Sequence, residues 1–488
     1  MKKLINIRHI ALLLLFLITG ACGDEFLEKK PLVTPTTETF FETEEHAIQA
    51  TNAVYNLLRS WEVHVFSYIA ITDIISDDAD KGSEPNDATF LLEIDNFNFD
   101  SRNVAFSTVW RGYYRGIYRA NLAIQNIPDI EMDETLKARL IGENKFLRAY
   151  FYFNLVRWFG GVPLILEPLQ PGEYEQPRDP AQAIYDQIIQ DLEGAAAALP
   201  ASYGGSNIGR VSSGSAKGML ARVYLTLQDY PNAEQYALEV INSGEYELFP
   251  DYDLLFQEAG ENSSESVFEV QNEAFEVGDG GSQYNQVQGV RGTPNLGWGF
   301  NRPSDDLVAS YERGDPRRDA TILYVGEVLP DGSAIVQDNP NMINERYNQK
   351  AWVPDHPGGL GNGPGNIRIL RYADVLLMAA EALNENGKSA QALPYLNRVR
   401  ARARGDRSVL PDITSAEQNE LREIIWRERR SELAMEQHRW FDLLRQDRAA
   451  EVMKAVGKDF IEGKHELMPV PATEIDLSGG LIQQNPGY

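Results

Sequence analysis

The chain has 488 residues, of which 43% are hydrophobic, and a formal net charge of −27 at pH 7. The apolar content suffices for a sizeable core and excludes a disordered chain, while a single cysteine excludes an internal disulfide framework and any clustered-thiol metal site. The charge argues against nucleic acid or an anionic lipid surface as the main partner and suits neutral ligands.

Met1-Lys2-Lys3 and Arg8 form a positive start, and Ile10 to Ile18 an apolar run too short to span a bilayer. Thr19-Gly20-Ala21 then leads into Cys22, the lone thiol. This layout predicts a lipoprotein signal peptide over residues 1–21, cleaved before Cys22, whose sulfur carries the lipid. Thr19 departs from the Leu or Val usual at its position. Cleavage removes Lys2, Lys3 and Arg8, so the mature charge is −27 − 3 = −30. No later stretch approaches a membrane span, which leaves the lipid as the expected attachment.

Residues 22–43, with Pro31, Pro35 and threonines at 34, 36, 37 and 39, read as an extended tether. The body is expected over 44–488 as a single unit. Thr43 is a predicted N-cap, with Glu44 and Glu45 in the first turn of a helix over 44–59. Residues 60–103 lack helical period and are rich in Asp, Asn and Ser. Helices follow over 104–127, stopped by Pro128, over 134–159, stopped by Gly160-Gly161, and over 180–199. The pattern of 214–228 and 230–243 predicts a helical hairpin turning at Asp229-Tyr230-Pro231, and 370–386 with 388–403 predicts a second.

The hairpins match each other. Ala221 and Leu225 correspond to Ala379 and Leu383 at an offset of 158, and Ala233, Tyr236 and Val240 to Ala392, Tyr395 and Val399 at 159. That spacing fits tetratricopeptide units, and equally two unrelated hairpins that share common residues. Between them lies a glycine-rich insert, about 244–366, with short β-like runs such as Val267-Phe268-Glu269-Val270. A long charged helix is predicted over 415–447 and a mostly irregular tail over 448–488.

Catalytic motifs are missing. There is no nucleophile elbow, Walker loop or zinc-protease helix, and the six histidines form no i, i+4 pair. Asp78-Ala79-Asp80-Lys81-Gly82 puts glycine where a calcium loop needs its third oxygen ligand. No catalytic residue, cofactor or metal site is expected. The 415–447 segment reads as a structural helix laced with local pairs, Glu423 with Arg427 and Arg429 with Glu432; anion binding is the other reading, and its glutamates oppose it.

Several segments together resemble the SusD/RagB family, the surface glycan-binding lipoproteins of Bacteroidetes. The strongest are Arg429-Arg430-Ser431-Glu432-Leu433-Ala434-Met435-Glu436 with His438-Arg439-Trp440-Phe441-Asp442-Leu443, and Leu467-Met468-Pro469-Val470-Pro471-Ala472-Thr473-Glu474 with Gln484-Asn485-Pro486-Gly487-Tyr488. Cys22 with Phe26-Leu27-Glu28, and Phe146-Leu147-Arg148-Ala149-Tyr150 with Gly160-Gly161-Val162-Pro163, continue the match along the mature chain. Gly23-Asp24-Glu25 is similar to the family's acidic export signal to the outer face. The resemblance implies a mainly α fold: a right-handed superhelix of four tetratricopeptide-like helix pairs, with a loop-rich insert containing short strands. It pairs 44–59 with 104–127 and 134–159 with 180–199, and adds the two hairpins. It also implies no catalytic activity, an outer-membrane location facing the exterior, and a role as lid on a SusC-type TonB-dependent transporter that receives oligosaccharides or, in some members, peptides.

Neutral sugars stack on aromatic rings and hydrogen-bond through their hydroxyls. The loop regions 60–103 and 244–366 are where such a site is expected. Trp298 and Phe300, interleaved with Gly297 and Gly299, are the leading candidates, with Tyr284, Asn285 and Arg302 near in sequence. Trp61, Asp77, Asp78 and Asn96 come from the earlier region and Trp352 from the later one. Each aromatic taken alone is more often packed than binding; Gly297 and Gly299 narrow that for Trp298, because glycines leave a ring little local cover. Two other functions fit the same chain: a peptide-capturing lid of this fold, and a periplasm-facing tetratricopeptide scaffold.

Overall fold

The computed structural model describes residues 40–276 and 279–488. The expectations for the signal peptide, for Cys22 and for the tether up to residue 39 lie outside the described residues.

Helix α1 (Glu44–Leu58) starts where its cap dictates: the Thr43 side chain accepts from the His46 amide, and Glu44 and Glu45 follow. Helix α2 (Val104–Asn126) packs against it, with Arg119 donating to the Ala53 carbonyl at 2.8 Å. Helix α3 (Glu134–Phe159) is buried over most of its last four turns and ends at Gly160, whose φ of 70° a side chain would strain. Helix α4 (Ala181–Ala198) lies along α3, clamped by Arg148, which donates twice to Asp191 at 2.8 Å. Next come α5 (Ser213–Thr226) and α6 (Tyr230–Asn242), then α7 (Tyr372–Glu385) and α8 (Ser389–Arg404). The four predicted pairs are the pairs found.

The matched hairpins are equivalent in packing. Ala221, Leu225, Ala233 and Val240 are buried, as are Ala379, Leu383, Ala392 and Val399, while Tyr236 and Tyr395 are both half-buried. Small residues at the crossing let each helix pair approach closely, so the offset in sequence reflects a repeated contact surface.

Three segments differ from expectation. The second hairpin begins at Tyr372, because Ile367–Arg371 is a strand that pairs antiparallel with Ser266–Val270. Residues 60–103 are structured: helices Trp61–His64 and Phe66–Ile69, a π-helical turn Ala70–Ile74, strand β1 (Ala79–Gly82) and helix Thr89–Asp95. The charged helix is broken into α9 (Gln418–Leu433) and α10 (Arg439–Arg445), with Met435 and Gln437 both at φ 63° between them. That turn sends Glu436 to Arg371 and Lys350, and Gln437 to Asp73.

Strand β2 (Ser266–Val270) and the later β3 (Phe300–Pro303), β4 (Ile322–Tyr324), β5 (Arg346–Asn348) and β6 (Ile367–Arg371) complete three two-stranded antiparallel sheets, β1–β3, β2–β6 and β4–β5. Gly82 faces Phe300 across the first and Asp80 faces Arg302.

The charges on α9 pair at long range, not along the helix. Arg429 donates to Asp374 at 2.7 Å and Asp442 at 3.2 Å, and the nearest basic partner of Glu423 is Arg448, at 3.9 Å. Glu432 accepts from Arg371 and Arg402, and from Arg317 at 3.2 Å. The expected local pairs belong to solvent-exposed helices, whereas α9 carries Glu428, Arg429 and Glu432 into the interior. There each charge needs several partners to offset its desolvation.

Candidate functional site

The helix Trp61–His64 is anchored from below. His64 is fully buried, with its ring nitrogens 2.6 Å from the Leu58 carbonyl and 2.6 Å from the Tyr150 hydroxyl. Burial pulls its imidazole down to about 4, partly offset by the Leu58 carbonyl. With His64 turned inward, Trp61 at the start of the same turn faces outward and stays 36% exposed.

Against it lies Trp298, half-buried, its ring centroid 6.1 Å from that of Trp61 at an interplanar angle of 65°. Phe66 forms the floor, 5.2 Å from Trp61, 5.9 Å from Trp298 and 5.0 Å from Phe300, with Phe90 packed edge-on at 5.4 Å. The edge-to-face angles are the favoured arrangement of aromatic pairs and hold the two indoles fixed. The result is a two-tryptophan surface over a buried phenylalanine.

The glycines beside Trp298 act differently from the sequence expectation, which took them as leaving the ring uncovered. A Cβ on Gly297 would lie 2.3 Å from the Gln286 carbonyl, and Gly299 has φ 72°. Both glycines are buried; Gly297 lets the loop press against Tyr284–Gln288, where the Trp298 amide donates to Gln286 at 2.8 Å, and Gly299 sits close under Met342 and Asn344. The glycines place the indole through backbone packing.

The remaining candidates divide. Phe300 is buried beneath the platform as structural support. Tyr284 is buried, its hydroxyl on Gln437, and Asn285 is buried and donates to the Ala351 carbonyl. Trp352 sits in a separate apolar cluster with Val290, Leu323, Leu329, Ile335 and Tyr347. Asp77 and Asp78 are interior counter-ions of Arg430 and Arg439, at 2.7 to 2.9 Å. These six were expected at a solvent-facing surface and are enclosed instead, because the arginines of the α9–α10 region draw the two aspartates inward and the insert folds over its own aromatics. Arg302 is half-buried and paired with Asp80 at 2.6 Å; Asn96 is exposed at the end of the Thr89–Asp95 helix. Phe66 and Phe90, which complete the platform, were missed. Nothing in their local spacing separates them from ordinary core phenylalanines.

Among the described residues, no group of three or more His, Cys, Asp or Glu side chains could hold a metal ion. None of the described helices is long and apolar enough to cross a membrane.

A helical-repeat body bearing an aromatic surface patch defines the class, and comparison with known proteins defines the family. Residues 264–488 match the model described as "SusD family", and residues 25–225 the model described as "Starch-binding associating with outer membrane". "SusD-like protein P2" of Formosa agariphila is 30% identical over 98% of this chain and 99% of its own length. Among solved structures, a "Laminarin binding SusD-like protein" is 32% identical with a TM-score of 0.79, covering 92% of this chain and all of that one. Surface glycan-binding protein A from Bacteroides thetaiotaomicron, in complex with laminarihexaose, is 25% identical with a TM-score of 0.76, covering 91% of this chain and 99% of its own. The chain belongs to the SusD family.

Proposed function

We propose that this chain is a glycan-binding lipoprotein of the outer membrane that captures oligosaccharides at the exterior face. Its Trp61–Trp298 platform holds them for a SusC-type TonB-dependent transporter. The observation that carries the reading is the meeting of two accessible tryptophans, from segments far apart in the chain, over a common aromatic floor. A pyranose presents an apolar face of CH groups to such rings, and the surrounding hydroxyls remain free for polar contacts. The names of the relatives support a carbohydrate, and laminarin-type glucans are the first to test. The family model's description supports the outer membrane, and the lone cysteine after the apolar leader, Cys22, is the anchor in this reading. The role is capture without bond breaking, so no residue is assigned to catalysis.

Calorimetry with laminarihexaose and with maltohexaose tests the binding. Heat with at least one glycan, at affinity weakened in Trp298→Ala, is the expected result. Binding of peptides and of no glycan would overturn it in favour of the peptide-capturing lid. Co-purification with the transporter from solubilised membranes tests the partnership, and recovery of this protein alone under conditions that preserve such complexes would count against it.

A further inference from the structure

Asp73 differs from every other buried carboxylate among the described residues. Asp77, Asp78, Asp95, Glu143 and the rest each have an arginine or lysine nitrogen within 4.0 Å. Asp73 is 1% exposed and has none. Its oxygens accept neutral donors only: the Gln437 amide at 3.0 Å, the Gln437 side chain at 2.7 Å and the Asn301 side chain at 3.0 Å.

Those donors are placed with care. Asn301 and Gln437 both adopt left-handed backbone, φ 58° and 63°, and both side chains turn inward to the same carboxylate. Asn301 directly follows Phe300, and its side chain also donates to Gln288 at 2.8 Å, the residue that precedes Gly289 in the loop framing Trp298. Asp73 itself lies in the π-helical turn Ala70–Ile74, which continues the short helix bearing Phe66. One continuous helical segment, Phe66–Ile74, therefore supplies both the ring that floors the platform and the carboxylate that holds the strand beside it. π-Helical turns are rare and concentrate at functional sites.

We propose that Asp73 is the positioning residue of the Trp61–Trp298 platform, and that its charge state governs how firmly the Asn301 strand holds Trp298. This rests on the platform reading above. The ionised carboxylate offers lone pairs to all three donors. Protonation removes the negative charge and makes one oxygen a weaker acceptor, so the contacts to Asn301 and Gln437 weaken. Burial pushes the Asp73 carboxyl up to about 7; the amides of Gln437 and Asn301 oppose this, and the Asp78 charge adds to it. The other ionisable groups facing it are the phenols of Tyr68, from its own segment, and Tyr284, from the insert, both raised by burial and neutral in this range. The switch is therefore poised in the neutral range, through a carboxylate that no cation locks in its charged form.

The test reads Trp298 directly, without ligand. Tryptophan emission is followed from about pH 5.5 to about pH 8.5, on either side of the Asp73 titration. The Trp298 signal is isolated by subtracting a Trp298→Phe variant. The wild type should show one transition near neutrality, and Asp73→Asn none. Asn301→Gly keeps the left-handed backbone while removing the amide, so it should disconnect the Trp298 signal from pH even if Asp73→Asn folds poorly. Laminarihexaose affinity should drop about tenfold in Asp73→Asn and lose its dependence on pH, the equivalent of one charge-assisted hydrogen bond. A transition that persists in Asp73→Asn or in Asn301→Gly, or a flat wild-type profile, overturns the proposal. If glycan binding ignores Trp298 while the emission transition behaves as expected, the platform reading falls and the coupling of Asp73 to Trp298 stands.

Discussion

Asp374 and Arg429 meet in the interior at 2.7 Å, while the other oxygen of the same carboxylate accepts from Arg222 at 2.7 Å. One side chain at the start of α7 thus joins α5 and α9, and α9 is fastened to the last two helix pairs. Burial alone would raise the Asp374 carboxyl; Arg429 and Arg222 overcome it and hold the group well below the ordinary carboxylate range.

Removing one member of this cluster leaves its partners buried and uncompensated. Arg429→Ala should cost about 3–5 kcal/mol of unfolding free energy. Arg427→Ala, two residues earlier on the exposed face, should stay within about 0.5 kcal/mol. Urea unfolding of both variants checks this, and equal losses would show that the pairing does not govern stability.

Trp61→Ala and Trp298→Ala should each weaken glycan binding roughly ten- to a hundredfold, from about 1.5–3 kcal/mol of lost stacking and burial. Helical circular dichroism should be unchanged, because neither ring lies in the helix pairs. The double variant should lose less than the sum, since each indole braces the other. Full additivity in calorimetry would mean that the rings act as separate contacts.

Stability should fall on the acid side through His64. Its folded value of about 4 lies below the ordinary 6.5, so the unfolded chain takes up the proton first. The contribution, on the order of 3 kcal/mol, is fully present above pH 6.5 and is lost as pH falls through about 4. Asp73 acts in the opposite sense: held at about 7 against an ordinary 3.8, it favours the fold most below 3.8 and loses that as pH rises through 7. Denaturation midpoints across this range should show a shallower acid limb in His64→Asn; an unchanged limb would assign the acid sensitivity to other groups.

Cys22→Ser should leave the body folded, as no disulfide can depend on the only cysteine. It should shift the protein from washed membranes to the soluble fraction when the transporter is absent. Persistent membrane retention would count against a lipid on Cys22.

The helix pairs were legible because their signals are local: the Thr43 cap, the Gly160 stop, and the Ala and Leu spacing of the two hairpins. The break after Leu433 was not, since Met435 and Gln437 have no intrinsic preference for left-handed backbone and adopt it to satisfy Arg371 and Asp73. The aspartates at 77 and 78 misled for a related reason. Polar residues in an aperiodic stretch read as surface, and their arginine partners lie more than three hundred positions away. Trp61 and Trp298 were each identifiable as candidates, but their meeting depends on the β1–β3 pairing and on the tight seat of Gly297.

The ties of Asp77 to Arg439, of Asp78 to Arg430 and of Lys458 to the carbonyls of Ile74 and Ser76 run between the first and the last fifth of the chain. During synthesis the early carboxylates have no partners until nearly the whole polypeptide has emerged. An N-terminal portion therefore cannot complete its own interior, and the molecule consolidates only once the full length is available.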